Sequence, residues 1–261
     1  MILVRYTGKV GPAYGLLRGE TVYELRGDPF VDALDLSAAA HGQRVGVLDE
    51  VELLAPCAPT KIVAVGRNYA QHAAEFGDDV PSEPLLFFKP SSAVIGPGAP
   101  IVLPTQSERV DHEAELCLVI GRRCRDVSPK EAWSYVLGVT CGNDVTARDI
   151  QRKDAQWARA KGFDTSAPLG PWIVAGLSAA EVSDLSIMCQ VNGLRRQVGQ
   201  TGDMVFAPSE LVSYITQMIT LEPGDVVMTG TPAGVGPLAA GDVVEVTIEG
   251  IGTLSNPVVA A

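Results

Sequence analysis

Residues 110–121 read VDHEAELCLVIG and residues 142–151 read GNDVTARDIQ. The first run is apolar from Leu116 to Ile120, as a buried strand would be, yet it carries two glutamates at its entrance. Successive strand side chains alternate faces. Glu113, Glu115, Cys117 and Val119 are therefore expected on one side, and Ala114, Leu116, Leu118 and Ile120 on the other. Two carboxylates sharing a face beside apolar neighbours are costly to bury unless a cation binds them. At about 3.3 Å rise per residue their Cα atoms lie about 7 Å apart, a gap that two glutamate side chains close around one ion. Asp144, in the second run, supplies a third oxygen donor. An all-carboxylate set with room for water suits Mg²⁺ or Mn²⁺. Ca²⁺ fits it less rigidly, as a substitute in crystals, and zinc, which prefers nitrogen and sulfur, is disfavoured. Alternate acids more often mark the wet face of a strand; the apolar continuation to Ile120 is what turns this pair inward.

The composition of the 261 residues, 46% hydrophobic and 20% charged, is that of a globular protein with a full core and room for a small second unit. A formal net charge of −11 opposes nucleic-acid binding, which calls for a basic face. No uncharged apolar run approaches the ~18 residues of a membrane span, and Arg5 and Lys9 interrupt the N-terminal MILVRYTGKV, unlike a secretion signal. A cytoplasmic protein with no membrane partner is expected. Five cysteines (Cys57, Cys117, Cys124, Cys141, Cys189) form no Cys-x-x-Cys pair, which points to reduced thiols in the core.

Short Gly-punctuated strands (ILVRY, YGLLRG, TVYELRG) and a weaker segment through VDALDL make residues 1–57 a small β-rich domain, and Pro56 and Pro59 mark a linker. Residues 58–261 form the larger domain, with many apolar strand-like runs between turns, so the class is β-dominated α+β. Three helices interrupt it. Ser128, Pro129 and Glu131 spell a capped start for SPKEAWSYV. In SELVSYITQMIT, Leu211, Val212, Ile215, Met218 and Ile219 form a core-facing stripe. The third is expected to start at Thr146, with Asp149 at N3, and to run through RDIQRKDAQWARA. A further short helix is expected in NYAQHAAEFG, capped by Asn68, with Gln71 at N3, and ended by Gly77. His72 and Glu75 share a face at i,i+3, as a base and its orienter would; spacing alone describes a salt-bridged surface histidine equally well. At barely two turns the helix is marginal without packing, as a lid that orders over substrate would be.

Five ordered motifs, VGRNYAQHAAE, HEAELCLVIGR, GNDVTARDIQ, AKGFDTSAPLGPW and TGTPAGVGP, make the chain from Lys61 to Val259 resemble the fumarylacetoacetate hydrolase superfamily. The resemblance implies a mixed β-sandwich or β-roll, a homodimer, and Mg²⁺ or Mn²⁺ on Glu113, Glu115 and Asp144. It implies catalytic roles for Lys161 and for the His72–Glu75 dyad, and substrate contacts for Gln151 and Thr231. Arg67, beside Gly66 in the first motif, reads as a substrate-binding residue lining the same pocket, and equally as one that holds the lid by a salt bridge. His112 points away from the glutamates by strand parity and reads as a core residue. Lys161 reads equally as a solvated loop lysine without the motif, and Gln151 and Arg148 as exposed helix residues, Gln151 being the better functional candidate by its match to the motif. The glycines of TGTPAGVG lack the lysine and spacing of a nucleotide loop, so a tight turn presenting Thr231 to a carboxylate is the better reading.

The substrate class that follows is a small 2-oxo acid. Hydrolysis of an acylpyruvate is favoured by the presence of both His72 and Glu75. Oxaloacetate decarboxylation and isomerisation of a hydroxy-dienedioate need the same metal without water attack. A metal-stabilised binding protein without turnover is the alternative from another class, and broken motifs would be its mark. The sequence shows none.

Overall fold

The strand Ala114–Ile120 lies at the centre of the fold, buried along its whole length. It pairs antiparallel with Val136–Asn143 on one side and Val226–Met228 on the other. Leu116, Leu118 and Ile120 join a core cluster that includes Ile187, Val246 and Ile248, whereas Cys117 and Val119 pack with Ile62, Leu169 and Ile173. This alternation is the one expected from the sequence, and it explains why the strand is apolar on both faces. The computed structural model describes residues 1–31, 42–77 and 79–261, so the expected weak segment through VDALDL lies, beyond Val31, outside the described residues.

The main sheet runs in the order Arg44–Val47, Thr21–Glu24, Gly11–Arg18, Ile2–Gly8, Ala167–Ala175, Val136–Asn143, Ala114–Ile120, Val226–Met228, Lys61–Gly66, Leu85–Pro90. The N-terminal strands are hydrogen-bonded into it through Ile2–Gly8 against Ala167–Ala175. A second sheet, Leu194–Gln200, Ser186–Val191, Val243–Ile248, Gly252–Ala260 and Ile101–Leu103, closes the larger core cluster from the other side. A small ladder positions the site. Val110–His112 pairs with Thr146–Ala147 and with Gly236–Pro237, which draws three of the five motif runs to one point. The class is thus β-dominated, with several sheets, as the strand-like runs imply.

Five helices are present among the described residues: α1 Ala70–Glu75, α2 Pro129–Ala132, α3 Arg148–Lys153, α4 Ala158–Lys161 and α5 Pro208–Met218. Four sequence expectations need correction. The long helix from Thr146 is two short ones: Thr146–Ala147 is ladder strand, and Asp154 is extended and breaks the chain between α3 and α4. Arg159 bridges that break with hydrogen bonds of 2.6 and 2.8 Å to Asp154, and Trp157 turns edge-on to Phe87, 5.4 Å between ring centroids. Asn68 does not cap α1. Tyr69 takes that position, and buried Asn68 instead donates to the carbonyls of Phe206 (3.1 Å) and Thr229 (2.8 Å) and accepts from the Phe206 N–H (2.8 Å). The Ser128 hydroxyl donates to Glu131 Oε2 at 2.7 Å rather than accepting a backbone N–H, so the capping box is not made and α2 is a single turn. Met218, placed in the core by its spacing, is the last residue of α5 and 83% exposed, while Leu211, Val212 and Ile215 are buried.

Candidate active site

Glu113 occupies the gap between the ladder strand and the central strand. Its N–H donates to Asn143 Oδ1 (2.9 Å) and its carbonyl accepts from the Asp144 N–H (2.9 Å), which fixes the two acidic runs side by side. The carboxylates of Glu113, Glu115 and Asp144 are all buried, and each offers an oxygen within 4.8 Å of the others. Glu115 accepts from the Gly230 N–H at 2.8 Å. Gly230 has φ +100°, and a Cβ there would lie 2.8 Å from that of Asn68, so the turn requires glycine twice over.

Cations surround the cluster. Lys161 Nζ donates to Glu113 (2.7 Å) and Asp144 (2.6 Å), and Lys89 Nζ donates to the other Asp144 oxygen (2.6 Å) and to the Lys161 carbonyl. Arg148, far from being exposed, is buried. It donates to Asp111 (2.9 Å), to Gln151 (2.6 Å) and to Glu113, and its guanidinium lies 4.9 Å from the Phe76 ring centre. Burial pushes Glu113 up, but Lys161 and Arg148 outweigh it and hold the carboxyl below its usual range. Glu115 goes the other way: burial, then repulsion from Asp144 and Glu113, drive it well above the usual range against the opposing Gly230 N–H and Lys161. Lys161 is held above its usual value because Asp144 and Glu113 overcome the effect of burial.

Whether these residues fit a divalent cation can be tested on this arrangement. Four acids (Asp111, Glu113, Glu115, Asp144) meet four cations (Lys89, Arg109, Arg148, Lys161), and every hydrogen-bonded ion pair goes to Asp111, Glu113 or Asp144. Glu115 is the carboxylate without a cationic hydrogen-bond partner, and it faces two acidic neighbours. Three oxygen donors in one pocket, one of them uncompensated, fit a hard divalent ion such as Mg²⁺ or Mn²⁺.

The cluster forms the floor of a cavity of about 240 Å³. Of the nine site residues expected from the sequence, all except Glu75 line it: Arg67, His72, Glu113, Glu115, Asp144, Gln151, Lys161 and Thr231. Glu75 lies behind His72. Its Oε2 is 3.2 Å from His72 Nδ1 and its Oε1 accepts from the Gly234 N–H at 2.7 Å. With Nδ1 engaged, Nε2 is the nitrogen left to act in the cavity. Arg67, at φ +58°, has the left-handed backbone that side chains other than glycine rarely adopt, a form of strain found at functional sites.

Sequence reasoning missed several participants. Lys89 sits in the apolar run LLFFKP, where a lone lysine among strand residues was the available signal. Phe76, Phe87 and Trp157 form an aromatic wall. Gln197 is fully buried: its Oε1 accepts from the Ala114 N–H (3.0 Å) and meets His112 Nδ1 (2.9 Å), while its Nε2 donates to Thr231 Oγ1 (2.7 Å) and the Pro232 carbonyl (2.8 Å). A backbone N–H can only donate and a carbonyl only accept, so the amide orientation is fixed. Thr231 Oγ1, accepting from Gln197, keeps its own hydrogen for the cavity. Burial lowers the pKa of His112, the largest influence on it, and its ring is turned toward Gln197 rather than the carboxylate cluster.

Residues 61–259 match the family model described as fumarylacetoacetate (FAA) hydrolase C-terminal, and residues 1–56 match one described as Rv2993c-like, N-terminal. Among curated proteins the chain is 44% identical over 220 residues to the mitochondrial oxaloacetate tautomerase FAHD2B of Bos taurus, covering 80% of this chain and 70% of that one. Among solved structures it resembles a 5-carboxymethyl-2-hydroxymuconate delta-isomerase of Mycobacterium smegmatis (44% identity, TM-score 0.88, all of both chains). It also resembles the fumarylpyruvate hydrolase of Pseudomonas aeruginosa in complex with Mn²⁺ and pyruvate (36% identity, TM-score 0.71, 77% of this chain and 90% of that one). With the family model spanning most of its length and the motif residues gathered in one cavity, this chain belongs to the fumarylacetoacetate hydrolase family.

Proposed function

We propose that this protein is a divalent-metal-dependent enzyme of 2-oxo acids that cleaves an acylpyruvate with water, releasing pyruvate and a carboxylic acid. The observation that carries the reading is His72 lining the same cavity as the three-carboxylate cluster, with Glu75 behind it on Nδ1. Glu113, Glu115 and Asp144 would hold Mg²⁺ or Mn²⁺, and a cation there supplies Lewis-acid stabilisation of the negative charge that develops on the 2-oxo oxygen. His72 takes a proton from water through Nε2, and Glu75, anchored by Gly234, holds the ring and stabilises its charged form. The hydroxyl adds to the distal carbonyl carbon, and the C3–C4 bond breaks with its electron pair going to C3. That carbon takes up a proton to give pyruvate. Lys161 and Arg148 keep Glu113 ionised throughout, and the Thr231 hydroxyl donates to the substrate carboxylate.

A second reading is tautomerisation of oxaloacetate, or isomerisation of a related enol acid. It is favoured by the 44% identity to the tautomerase and to the delta-isomerase. His72 would then move a proton between carbon and oxygen with no water added, while decarboxylation of oxaloacetate would likewise add no water: carbon dioxide leaves with the C3–C4 electron pair kept on C3, and the enolate takes up a proton there. The test is pyruvate release from acetylpyruvate, fumarylpyruvate and oxaloacetate in parallel with Mg²⁺ or Mn²⁺, with oxaloacetate enol–keto exchange followed by ultraviolet absorbance. Metal-dependent release from the acylpyruvates, lost in Glu115→Ala and His72→Ala, is the expected result. Enol–keto exchange without pyruvate release would transfer the assignment to the tautomerase.

A further inference from the structure

The cavity has a cation that the proposed chemistry does not use. Arg152 lines it, is exposed to solvent, and lies on α3 at i,i+4 from Arg148, so the two share a helix face about 6 Å apart along the axis. Arg148 is the inner member, committed to Asp111, Glu113 and Gln151. Lys161 and Lys89 are likewise committed to the carboxylate cluster. The acids closest to Arg152 in sequence are engaged elsewhere: Asp149 accepts from the Ser107 hydroxyl (2.6 Å) and the Glu108 N–H (3.2 Å), and Asp154 takes two bonds from Arg159. Among the described residues Arg152 has no ion pair or hydrogen bond. A chain with a formal net charge of −11 thus leaves one guanidinium uncompensated at the mouth of its cavity.

We propose that Arg152 binds a second carboxylate, at the distal end of the substrate, so that the cavity selects 2-oxo dicarboxylates over 2-oxo acids with a neutral acyl end. This rests on the reading of the site as one for 2-oxo acids. The substrate's 2-oxo carboxylate lies at the cluster, its carbon chain runs along the wall of Phe76, Phe87 and Trp157, and its far carboxylate meets Arg152 a helical turn further out. That span suits a short diacid. At a partly solvated position the pair contributes modestly to affinity, and it adds steering of a dianion toward the cavity.

The test compares fumarylpyruvate, a dianion, with acetylpyruvate, a monoanion, on the Mn²⁺-loaded protein, by calorimetric Kd and by steady-state kinetics. Arg152→Gln is expected to lower the preference for fumarylpyruvate about three- to tenfold, chiefly through KM and Kd. Arg152→Lys should restore much of it, and the wild-type preference should shrink as salt is raised. Equal changes for both acids, or a preference that survives Arg152→Gln, would overturn the inference and leave the reaction assignment intact. Wild-type protein that binds Mn²⁺ but neither acid would overturn the reaction assignment, and this inference with it.

Discussion

Glu115→Gln is expected to stabilise the metal-free protein and to abolish stabilisation by metal. Glu115 faces Glu113 and Asp144 with ligand oxygens within 4.8 Å, and its one backbone donor is the Gly230 N–H. At that separation each like-charged pair costs about 3 kcal/mol at an effective dielectric of 20. Lys161 lies 2.7 and 2.6 Å from the two neighbours and cancels much of this, leaving a net penalty of about 1–3 kcal/mol on ionised Glu115. Glutamine keeps the acceptor for Gly230 and drops the charge. The gain has a pH signature. The folded pKa of Glu115 is raised above 4.5 by burial and its acidic neighbours, so its contribution to stability is full below 4.5 and is lost as pH rises through the folded value. The variant's advantage should therefore be small at acidic pH and grow toward neutrality, reaching about 2–10 °C in Tm for a chain of this size. With saturating Mg²⁺ or Mn²⁺ the order inverts, because binding at 1,000 times Kd stabilises the wild type by about 4 kcal/mol. Thermal melts of both proteins in EDTA and in MnCl₂, at acidic and neutral pH, measure all of this. A variant less stable than wild type in EDTA at neutral pH, or one that keeps the full metal-induced shift, would refute the reasoning.

His72→Ala should lower kcat by about 10²–10⁴-fold while calorimetry shows Mn²⁺ affinity retained, and Glu75→Gln should fall between that variant and wild type. Gly230→Ala forces a side chain into a φ of +100° against Asn68 and misaims the N–H that holds Glu115; Mn²⁺ titration should show affinity reduced about tenfold or more. Gln197→Glu keeps the acceptor for Ala114 and His112 but removes the donor to Thr231, whose hydroxyl then turns to the new carboxylate. KM for an acylpyruvate should rise more than kcat falls, and the effect should be absent in a Thr231→Val background. Burial pushes the thiols of Cys57, Cys141 and Cys189 up to about 12 from 9.0. Their stabilising contribution is full below pH 9 and lost above it, as the unfolded thiols ionise first. All five buried cysteines should be inert to a disulfide reagent at pH 8 and react together on unfolding in guanidinium.

Alternation made Glu113 and Glu115 legible, because a strand apolar on both faces leaves no wet side for an acid pair. The short span of α1 and its end at Gly77, φ +69°, followed from local rules as well. What escaped the sequence was set by partners far along the chain. Lys89 acquires its role from Asp144, 55 residues away, and Asn68 from Phe206 and Thr229, so a side chain well suited to cap a helix is used as a clamp instead. The run RDIQRKDAQWARA has good helical propensity. Tertiary packing breaks it, because Trp157 packs against Phe87 at the cavity wall while Arg148 is drawn into the carboxylate cluster. Gln197 sits in LRRQVGQ, whose neighbours are mostly exposed, and nothing local marks the one inward amide.

The charge pattern gives a reason for gathering so many ionised groups, all but Arg109 buried. The four acids and four cations balance, and pairs of this kind, taken alone, stabilise little once desolvation is counted. Their use is differential. On the proposed reading, a divalent cation held by Glu113, Glu115 and Asp144 would give the set two positive charges in excess. A bound 2-oxo carboxylate would then neutralise one, and the second would be left for negative charge that exists on the 2-oxo oxygen only while the C3–C4 bond is breaking or a proton is leaving C3. An environment still one charge positive with substrate bound, and neutral in the transition state, favours the transition state over the ground state. The groups that set this balance are locked by hydrogen bonds before substrate arrives: Lys161 between two carboxylates, Arg148 across three partners, Glu115 on the Gly230 N–H. Little reorganisation then opposes the reaction. The same balance explains why the outer guanidinium of Arg152 can be left unpaired: it lies beyond the neutralised set, where a second carboxylate can meet it without disturbing the charge reserved for the reacting oxygen.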